Sequence, residues 1–207
     1  ATWLLGKTAA GVDVRREHIL STAYGDVQPE DKWVAISGTD RKYNRLGERT
    51  NTSLFLEHNV IVGGFTLSAG LLANRNTALD GKFRLYPGVD VSYRPNDEWK
   101  VYASWNRALR VPTYTDLYTN NAVQQGDIAL RPEKNEAFKV GARYRTHGFE
   151  ALLSGFYSKG TDIIDWVYPT AESKKYQAMN IGKLDNMGYS VDAALHLQEL
   201  LPEFFIT

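Results

Sequence analysis

Apolar and polar residues alternate through most of the chain, and this alternation predicts long β-strands. Between Phe83 and Tyr93 the odd positions are apolar or aromatic apart from Pro87, whereas the even positions include Arg84 and Asp90. Successive side chains of a strand point to opposite faces, so a period of two separates an apolar face from a polar one. We therefore predict a strand here whose two faces meet different surroundings.

The same period recurs along the chain, and the connections between the segments differ greatly in length. Short turns are predicted at Arg94–Asp97 and at Thr146–Gly148, where the glycine supplies the positive φ that a tight hairpin needs. A link containing Pro202 leads into one further predicted strand. The predicted strands cover residues 3–16, 50–58, 65–73, 83–93, 99–105, 138–144, 149–157 and 187–197. The long polar connections between them cover residues 18–49, 107–134 and 162–177.

Alternation alone fits two architectures, a soluble antiparallel β-sandwich and a membrane β-barrel. Two features of the strands favour the barrel. They are about 9 to 12 residues long, against a usual length of about 5–6 in globular sheets. Short turns also alternate with loops of up to about 30 residues, as the short periplasmic turns and long outer loops of bacterial barrels do.

Aromatic residues at the ends of the apolar face favour the barrel further. Ten residues at about 3.4 Å each, tilted by roughly 40°, span about 26 Å, which matches the apolar band of about 25 Å around such barrels. The capping pairs are Phe83 and Tyr93, Trp99 and Trp105, and Phe149 and Tyr157. The predicted fold class is therefore all-β, an antiparallel meander of long strands that forms part of a transmembrane β-barrel.

Composition excludes several other functions. Lysine plus arginine equal aspartate plus glutamate at 24 each, so the chain has no basic excess, and we predict no nucleic-acid partner. Cysteine is absent, which excludes disulfides, thiolate nucleophiles and cysteine metal sites.

No group of residues has the spacing of a catalytic or metal site. The four histidines fall in separate segments without metal-ligand spacing; they are His18, His58, His147 and His196. Asp162 and Asp165 lie three residues apart in a loop, where a plain polar loop is a better interpretation than a calcium site. We therefore predict no enzyme activity, no cofactor and no metal.

The loop at 162–177 carries the only candidate ligand-binding residues, Trp166, Tyr168 and Tyr176. Aromatic rings in an outer loop can stack on a ligand, and they can equally pack the loop itself. Both interpretations stay open from the sequence.

Several ordered motifs carry a resemblance to a known family. They are Leu85–Pro95, Val101–Trp105, Ala108–Pro112, Asp116–Tyr118, Leu130–Gly141, Asn180–Gly182 and Gly188–Asp192. In this order they resemble the C-terminal barrel region of TonB-dependent outer-membrane receptors, over about residues 50–197. One departure is that the family often has glutamate where Asp192 or its neighbour Ser190 stands.

The resemblance implies a barrel of about 22 strands, closed by an N-terminal plug whose short segment engages TonB. Such receptors import bulky nutrients (siderophores, haem, cobalamin or glycans) with energy from the inner membrane. Residues 1–207 are then expected to form a partial barrel of about eight or nine strands, without the plug and the final strands. The Pro112–Tyr118 tract is expected to be a short turn or helix in an outer loop.

The expected partners are TonB through the missing plug region, a nutrient at the extracellular loops and the lipid bilayer. The expected location is the outer membrane of a Gram-negative bacterium. A passive porin is the alternative function, and a soluble ligand-binding β-sandwich is a weaker one.

Overall fold

The computed structural model describes residues 2–3 and 6–197, and most of them lie in antiparallel strands. Within this part of the chain, no helix is both long enough and apolar enough to cross a membrane. The long strands are β2 (Gly6–Ser21), β6 (Arg45–Val62), β7 (Phe65–Asn76), β8 (Arg84–Tyr93), β9 (Trp99–Arg110), β11 (Glu133–Thr146), β12 (Phe149–Thr161) and β15 (Lys183–Leu195). The short strands are β1 (Thr2–Trp3), β3 (Asp26–Val27), β4 (Val34–Ala35), β5 (Lys42–Tyr43), β10 (Gln124–Gln125), β13 (Ile164–Val167) and β14 (Tyr176–Asn180). A 3-10 turn covers Glu30–Lys32, and helix α1 covers Tyr114–Tyr118.

One large sheet contains all the long strands, in the order β1-β2-β6-β7-β8-β9-β11-β12-β15, with β3 paired to β6. Long strands that follow each other in the chain are neighbours in the sheet, so the predicted meander is confirmed. Because one sheet takes all eight long strands, the alternative of two stacked sheets is wrong. At the turn end of the sheet the connections are residues 63–64, 94–98 and 147–148. At the loop end they are residues 22–44, 77–83, 111–132 and 162–182.

All the predicted strands except β8 were too short at the loop end. β9 continues to Arg110 and β11 begins at Glu133, and these two residues are cross-strand partners. Charged residues stand on both faces there, so the alternation disappears although the backbone ladder continues. The predicted loop at 162–177 also contains β13 and the start of β14. The strand predicted after Pro202 lies outside the described residues.

The strand register brings the predicted apolar positions onto one face, which we call the apolar face. Val91 on β8 lies opposite Ala103 on β9, which in turn lies opposite Val140 on β11. Aromatic pairs stand near both ends of this face. Phe65 stacks on Tyr93 with ring centroids 4.3 Å apart near the turn end, and the rings of Trp105 and Phe138 lie 6.4 Å apart near the loop end.

On the polar face, three glycines each lie directly opposite an aromatic residue of a neighbouring strand. A Cβ atom at Gly141 would come within 2.5 Å of the Tyr102 ring, so this ring lies flat over the glycine backbone. Such pairing lets a large ring cover an otherwise bare stretch of sheet. The three pairs are Gly11 and Phe55, Gly141 and Tyr102, and Gly188 and Phe156.

The sheet opens between β8 and β9 at the loop end. Pairing between them joins Gly88–Tyr93 to Val101–Asn106 and stops there, whereas β8 stays paired to β7 as far as Arg84. Pro87 stands where the pairing ends, and proline has no N–H to donate to a ladder. We call this opening the β8–β9 split.

Candidate ligand-binding loops

Two loops at the loop end fold together into one unit, the loop platform, made of residues 111–132 and 162–182. β10 from the first loop pairs in parallel with β14 from the second, and β14 pairs with β13. The platform encloses a small buried apolar cluster of Leu130, Ile164 and Ala178, with Leu117 and Trp166 packed against it. This shared core makes the two loops one ordered surface.

Helix α1 begins with a capping box. The Asp116 N–H donates to Thr113 Oγ1 at 3.1 Å, and the Thr113 N–H donates back to Asp116 Oδ2 at 2.9 Å. The sequence Thr-x-x-Asp gives the local signal, because each side chain satisfies a backbone donor that the first helical turn leaves free. The short ordered element expected within Pro112–Tyr118 is therefore confirmed.

Gly126 lets the chain pass directly against α1. A Cβ atom there would lie 2.6 Å from the Asp116 carbonyl oxygen and 2.8 Å from the Leu117 carbonyl carbon, closer than real Cβ contacts allow. The Gly126 N–H donates to the Thr119 carbonyl oxygen at 2.6 Å, and the Asp127 N–H donates to that of Asp116 at 3.0 Å. Only a residue without a side chain keeps both bonds.

Arg110 joins three elements at the top of the sheet. Its Nε donates to Glu133 Oε2 at 2.8 Å, and its Nη1 lies 3.4 Å from Asp116 Oδ2 at the start of α1. Glu133 in turn accepts the Ile164 N–H at 2.8 Å. The two carboxylate side chains are only 16% and 11% exposed, so both depend on this guanidinium for compensation.

Arg110→Ala is expected to lower the free energy needed to open the platform locally by about 1–2 kcal/mol, because the change leaves two mostly buried carboxylates without a cation. Arg131→Ala is the matched control, since the Arg131 side chain is 67% exposed and its partner Asp162 keeps a second cation, Lys134, at 3.3 Å. The loosening is measured in each variant of the full-length protein as the rate of hydrogen–deuterium exchange in residues 111–132 and 162–182. Equal exchange in the two variants would show that Arg110 has no such role.

Arg49 on β6 fixes the first loop to the polar face. It donates to the Pro112 carbonyl oxygen at 2.8 Å, pairs with Glu17, and places its Cζ 4.7 Å from the Tyr114 ring centroid. Burial raises the pKa of the Tyr114 hydroxyl, which Arg49 partly opposes. A cavity of about 230 Å³ lies between α1 and β6, with Tyr118 and Ile128 in its lining.

Asp162 serves the platform as an ion-pair partner. Arg131 Nη2 donates to its Oδ1 at 2.8 Å, and Lys134 Nζ donates to its Oδ2 at 3.3 Å. The hydrogen bond from Arg131, with a smaller contribution from Lys134, lowers the pKa of the Asp162 carboxyl. Asp165 instead accepts the Trp166 N–H, and the described residues contain no group of three side chains suited to a metal ion.

The structure brings two of the three candidate aromatic residues together. The Tyr168 and Tyr176 ring centroids lie 4.1 Å apart, and the two residues are 50% and 41% exposed. A hydrogen bond to Tyr176 raises the pKa of Tyr168. Trp166 lies opposite Ala178 and packs against the buried cluster, so it stabilises the platform. Its contact with a ligand stays a prediction.

Sequence reasoning missed Arg49 and Arg110, the two residues that place the platform. A signal for Arg110 was present, since it and Glu133 flank the first loop with opposite charges. Extending the strand register by five pairs beyond Trp105 and Phe138 would have made them cross-strand partners. Arg49 contacts Pro112, 63 residues away, and no local pattern indicates that contact.

The arrangement of a meander sheet with long loops at one end is shared by known proteins. The protein family described as TonB dependent receptor-like, beta-barrel, matches residues 2–205. The chain belongs to this family. The sheet described above is thus a segment of a TonB-dependent receptor barrel, whose strands alternate apolar-out and polar-in.

Solved structures of similar fold include three iron-related proteins. The FrpB iron transporter from Neisseria meningitidis (F3-3 variant) is 21% identical, with a TM-score of 0.65, over 94% of this chain and 31% of that one. The siderophore receptor PirA from Pseudomonas aeruginosa is 17% identical, with a TM-score of 0.69, over 89% and 32%. A mutant of the ferric enterobactin receptor PfeA from the same species, in complex with enterobactin, is 17% identical, with a TM-score of 0.70, over 89% and 30%.

The chain therefore spans about a third of the length of these structures, and at this identity they show the fold alone. A comparison with curated proteins found no match.

Proposed function

We propose that this receptor-barrel segment belongs to an outer-membrane receptor that imports a bulky nutrient with energy from TonB. The family match over residues 2–205 carries the proposal. The loop platform adds support, because an ordered surface above a polar-lined barrel suits the capture of a ligand before transport. The protein is a transporter in this proposal and not an enzyme.

An iron-bearing siderophore is the nutrient class that we favour. The similar structures include an iron transporter, a siderophore receptor and a receptor that holds enterobactin. Haem, cobalamin and glycans are the other nutrient classes. All of these ligands are large enough to need an open loop platform.

The remaining parts of the transporter would lie elsewhere in the full-length protein. Residues 1–207 would contribute part of the barrel wall, and the plug with its TonB-binding segment and the final strands would complete it. The apolar face would contact lipid in the outer membrane of a Gram-negative bacterium. The polar face would then surround the plug.

A passive porin is the second candidate, since a porin has the same alternating strands. The loop platform favours the receptor, because Arg49 and Arg110 fix the first loop over the polar face. A loop held there restricts free diffusion.

The test uses the full-length protein in a Gram-negative host that lacks other siderophore receptors. We expect it in the outer-membrane fraction with heat-modifiable migration on a denaturing gel, and we expect uptake of a ferric siderophore only when TonB is present. Uptake that persists without TonB would establish the porin. A protein outside the membrane fraction would overturn both functions.

Tyr168 and Tyr176 are the residues that we propose to touch the ligand. Replacing both with alanine is expected to weaken binding of the imported ligand about thirtyfold, because each exposed ring contributes of the order of 1 kcal/mol of stacking. The matched control is the double change to phenylalanine, which keeps the rings and removes the hydroxyls. Calorimetric titration of the full-length receptor measures both. Unchanged affinity in the alanine variant would assign these rings to loop packing.

A further inference from the structure

A row of charged residues crosses the apolar face directly beyond its aromatic residues at the loop end. Each member of the row lies two residues closer to the loops than one residue of the apolar face, namely Trp105, Phe138, Tyr157 or Met187. A spacing of two keeps each member on the apolar face, and adjacent members are cross-strand partners. Basic and acidic residues alternate from strand to strand. The row consists of Arg107 on β9, Glu136 on β11, Lys159 on β12 and Asp185 on β15.

Pairing within the row leaves one lysine available. Arg107 Nη2 lies 3.4 Å from Glu136 Oε1, and the same carboxylate oxygen accepts the Trp105 Nε1–H at 2.9 Å. Lys134, one step further out, pairs with Asp162. Lys159 is exposed, and no carboxylate of the described residues forms an ion pair with it.

The charged row borders a cavity at the β8–β9 split. The cavity has a volume of about 400 Å³. Arg84, Leu85 and Tyr86 line it from β8, while Arg107, Lys134 and Lys159 line it from the other strands. Four of these six residues are cations, of which Arg84 pairs with Asp80 at 3.1 Å, and Glu136 is the single acidic residue in the lining.

We propose that this cavity binds the phosphate of an anionic lipid headgroup from the leaflet around the barrel. This proposal rests on the proposed function, in which the apolar face lies in a membrane. Tryptophan and tyrosine side chains mark the headgroup level of a bilayer, so cations just beyond them stand at the height of lipid phosphates. Arginine binds phosphate through two parallel N–H groups, and lysine adds a point charge.

The lining of the cavity suits a lipid better than a free anion. Leu85 is 61% exposed beside the cations, and Val89, which is 39% exposed on the same strand, lies opposite Trp105 and so one step below Arg107. An acyl chain attached to the bound phosphate would cover both side chains. Because the backbone pairing between β8 and β9 ends at Gly88, the headgroup also has room to enter between the strands.

The test measures the lipid preference of the full-length receptor in vesicles of phosphatidylcholine that contain spin-labelled phosphatidylglycerol. We expect the parent protein to prefer the labelled phosphatidylglycerol over labelled phosphatidylcholine. Lys159→Gln is expected to reduce this preference about fivefold, since one basic residue near a membrane surface contributes about 1 kcal/mol. Lys159 is exposed and unpaired, so this change leaves the fold intact.

Arg75→Gln is the matched control, because Arg75 is an exposed cation at the loop end of β7 outside the cavity lining. We expect it to keep the parent preference. Equal losses in the two variants, or no loss in Lys159→Gln, would overturn the site. In a separate titration, inorganic phosphate is added to the vesicles to about 10 mM. Displacement of the labelled lipid by this phosphate would also overturn the lipid site and would indicate a site for free anions.

Heat-modifiable migration and uptake are measured on every variant beforehand. A receptor that folds and transports without a preference for phosphatidylglycerol overturns the lipid site alone. Failure of membrane insertion or uptake in the parent would overturn the proposed function instead.

Discussion

We expect Ala103→Arg to lower the free energy of unfolding of the full-length receptor in a lipid bilayer by about 2–4 kcal/mol. Ala103 lies in the middle of the apolar face, opposite Val91 on one side and Val140 on the other. An arginine there would place its charge near the bilayer midplane, where neither cross-strand neighbour is polar. Chemical unfolding in lipid vesicles measures the loss.

The next residue in the chain is the control for this change. Ser104 points to the polar face, opposite Asp90 and Lys139, so Ser104→Arg adds the same charge to the water-filled side. We expect its free energy of unfolding to stay within about 1 kcal/mol of the parent value. A larger loss in Ser104→Arg than in Ala103→Arg would reverse the assignment of the two faces.

Gly126→Val is expected to disrupt the loop platform while the barrel stays folded. Its side chain would overlap the Asp116 and Leu117 backbone, and backbone cannot swing aside as a side chain does. Overpacking of this kind costs about 1–3 kcal/mol. Hydrogen exchange in residues 111–132 and 162–182 should then rise by up to about a hundredfold, since about 1.4 kcal/mol is a factor of ten.

Ligand binding should fall together with platform protection in this variant. Gly70→Val is the control, because the only atom within 4 Å of a Cβ at Gly70 is the Leu56 carbonyl oxygen at 3.9 Å. If both valine variants keep the parent exchange pattern and ligand affinity, the platform does not depend on the close approach at Gly126.

The sheet was largely predictable from the sequence because each face of a strand meets a uniform environment. The same apolar environment explains the side chains of three cross-strand neighbours, Val91, Ala103 and Val140. A period of two in the sequence therefore reveals each of them without any knowledge of the strand pairing. The prediction failed where this reason ends. Beyond Trp105 and Phe138 charged residues stand on both faces, so the last pairs of β9 and β11 show no alternation.

The loop platform could be predicted only in part. Thr113 and Asp116 form a local motif, and the sequence indicated the short helix that they begin. The contacts that position the helix join residues far apart in the chain, such as Arg49 with Pro112. The candidate aromatics stood out in the sequence of the loop, yet only the folded structure shows that the Tyr168 and Tyr176 rings meet while Trp166 packs against the buried cluster.

The glycine–aromatic pairs of the polar face determine how much of the barrel interior is open. Three rings occupy the space that a side chain would fill at Gly11, Gly141 and Gly188 if these residues were not glycine, so the rings thicken the wall very little. A domain seated inside the barrel would meet broad, low surfaces there instead of projecting side chains.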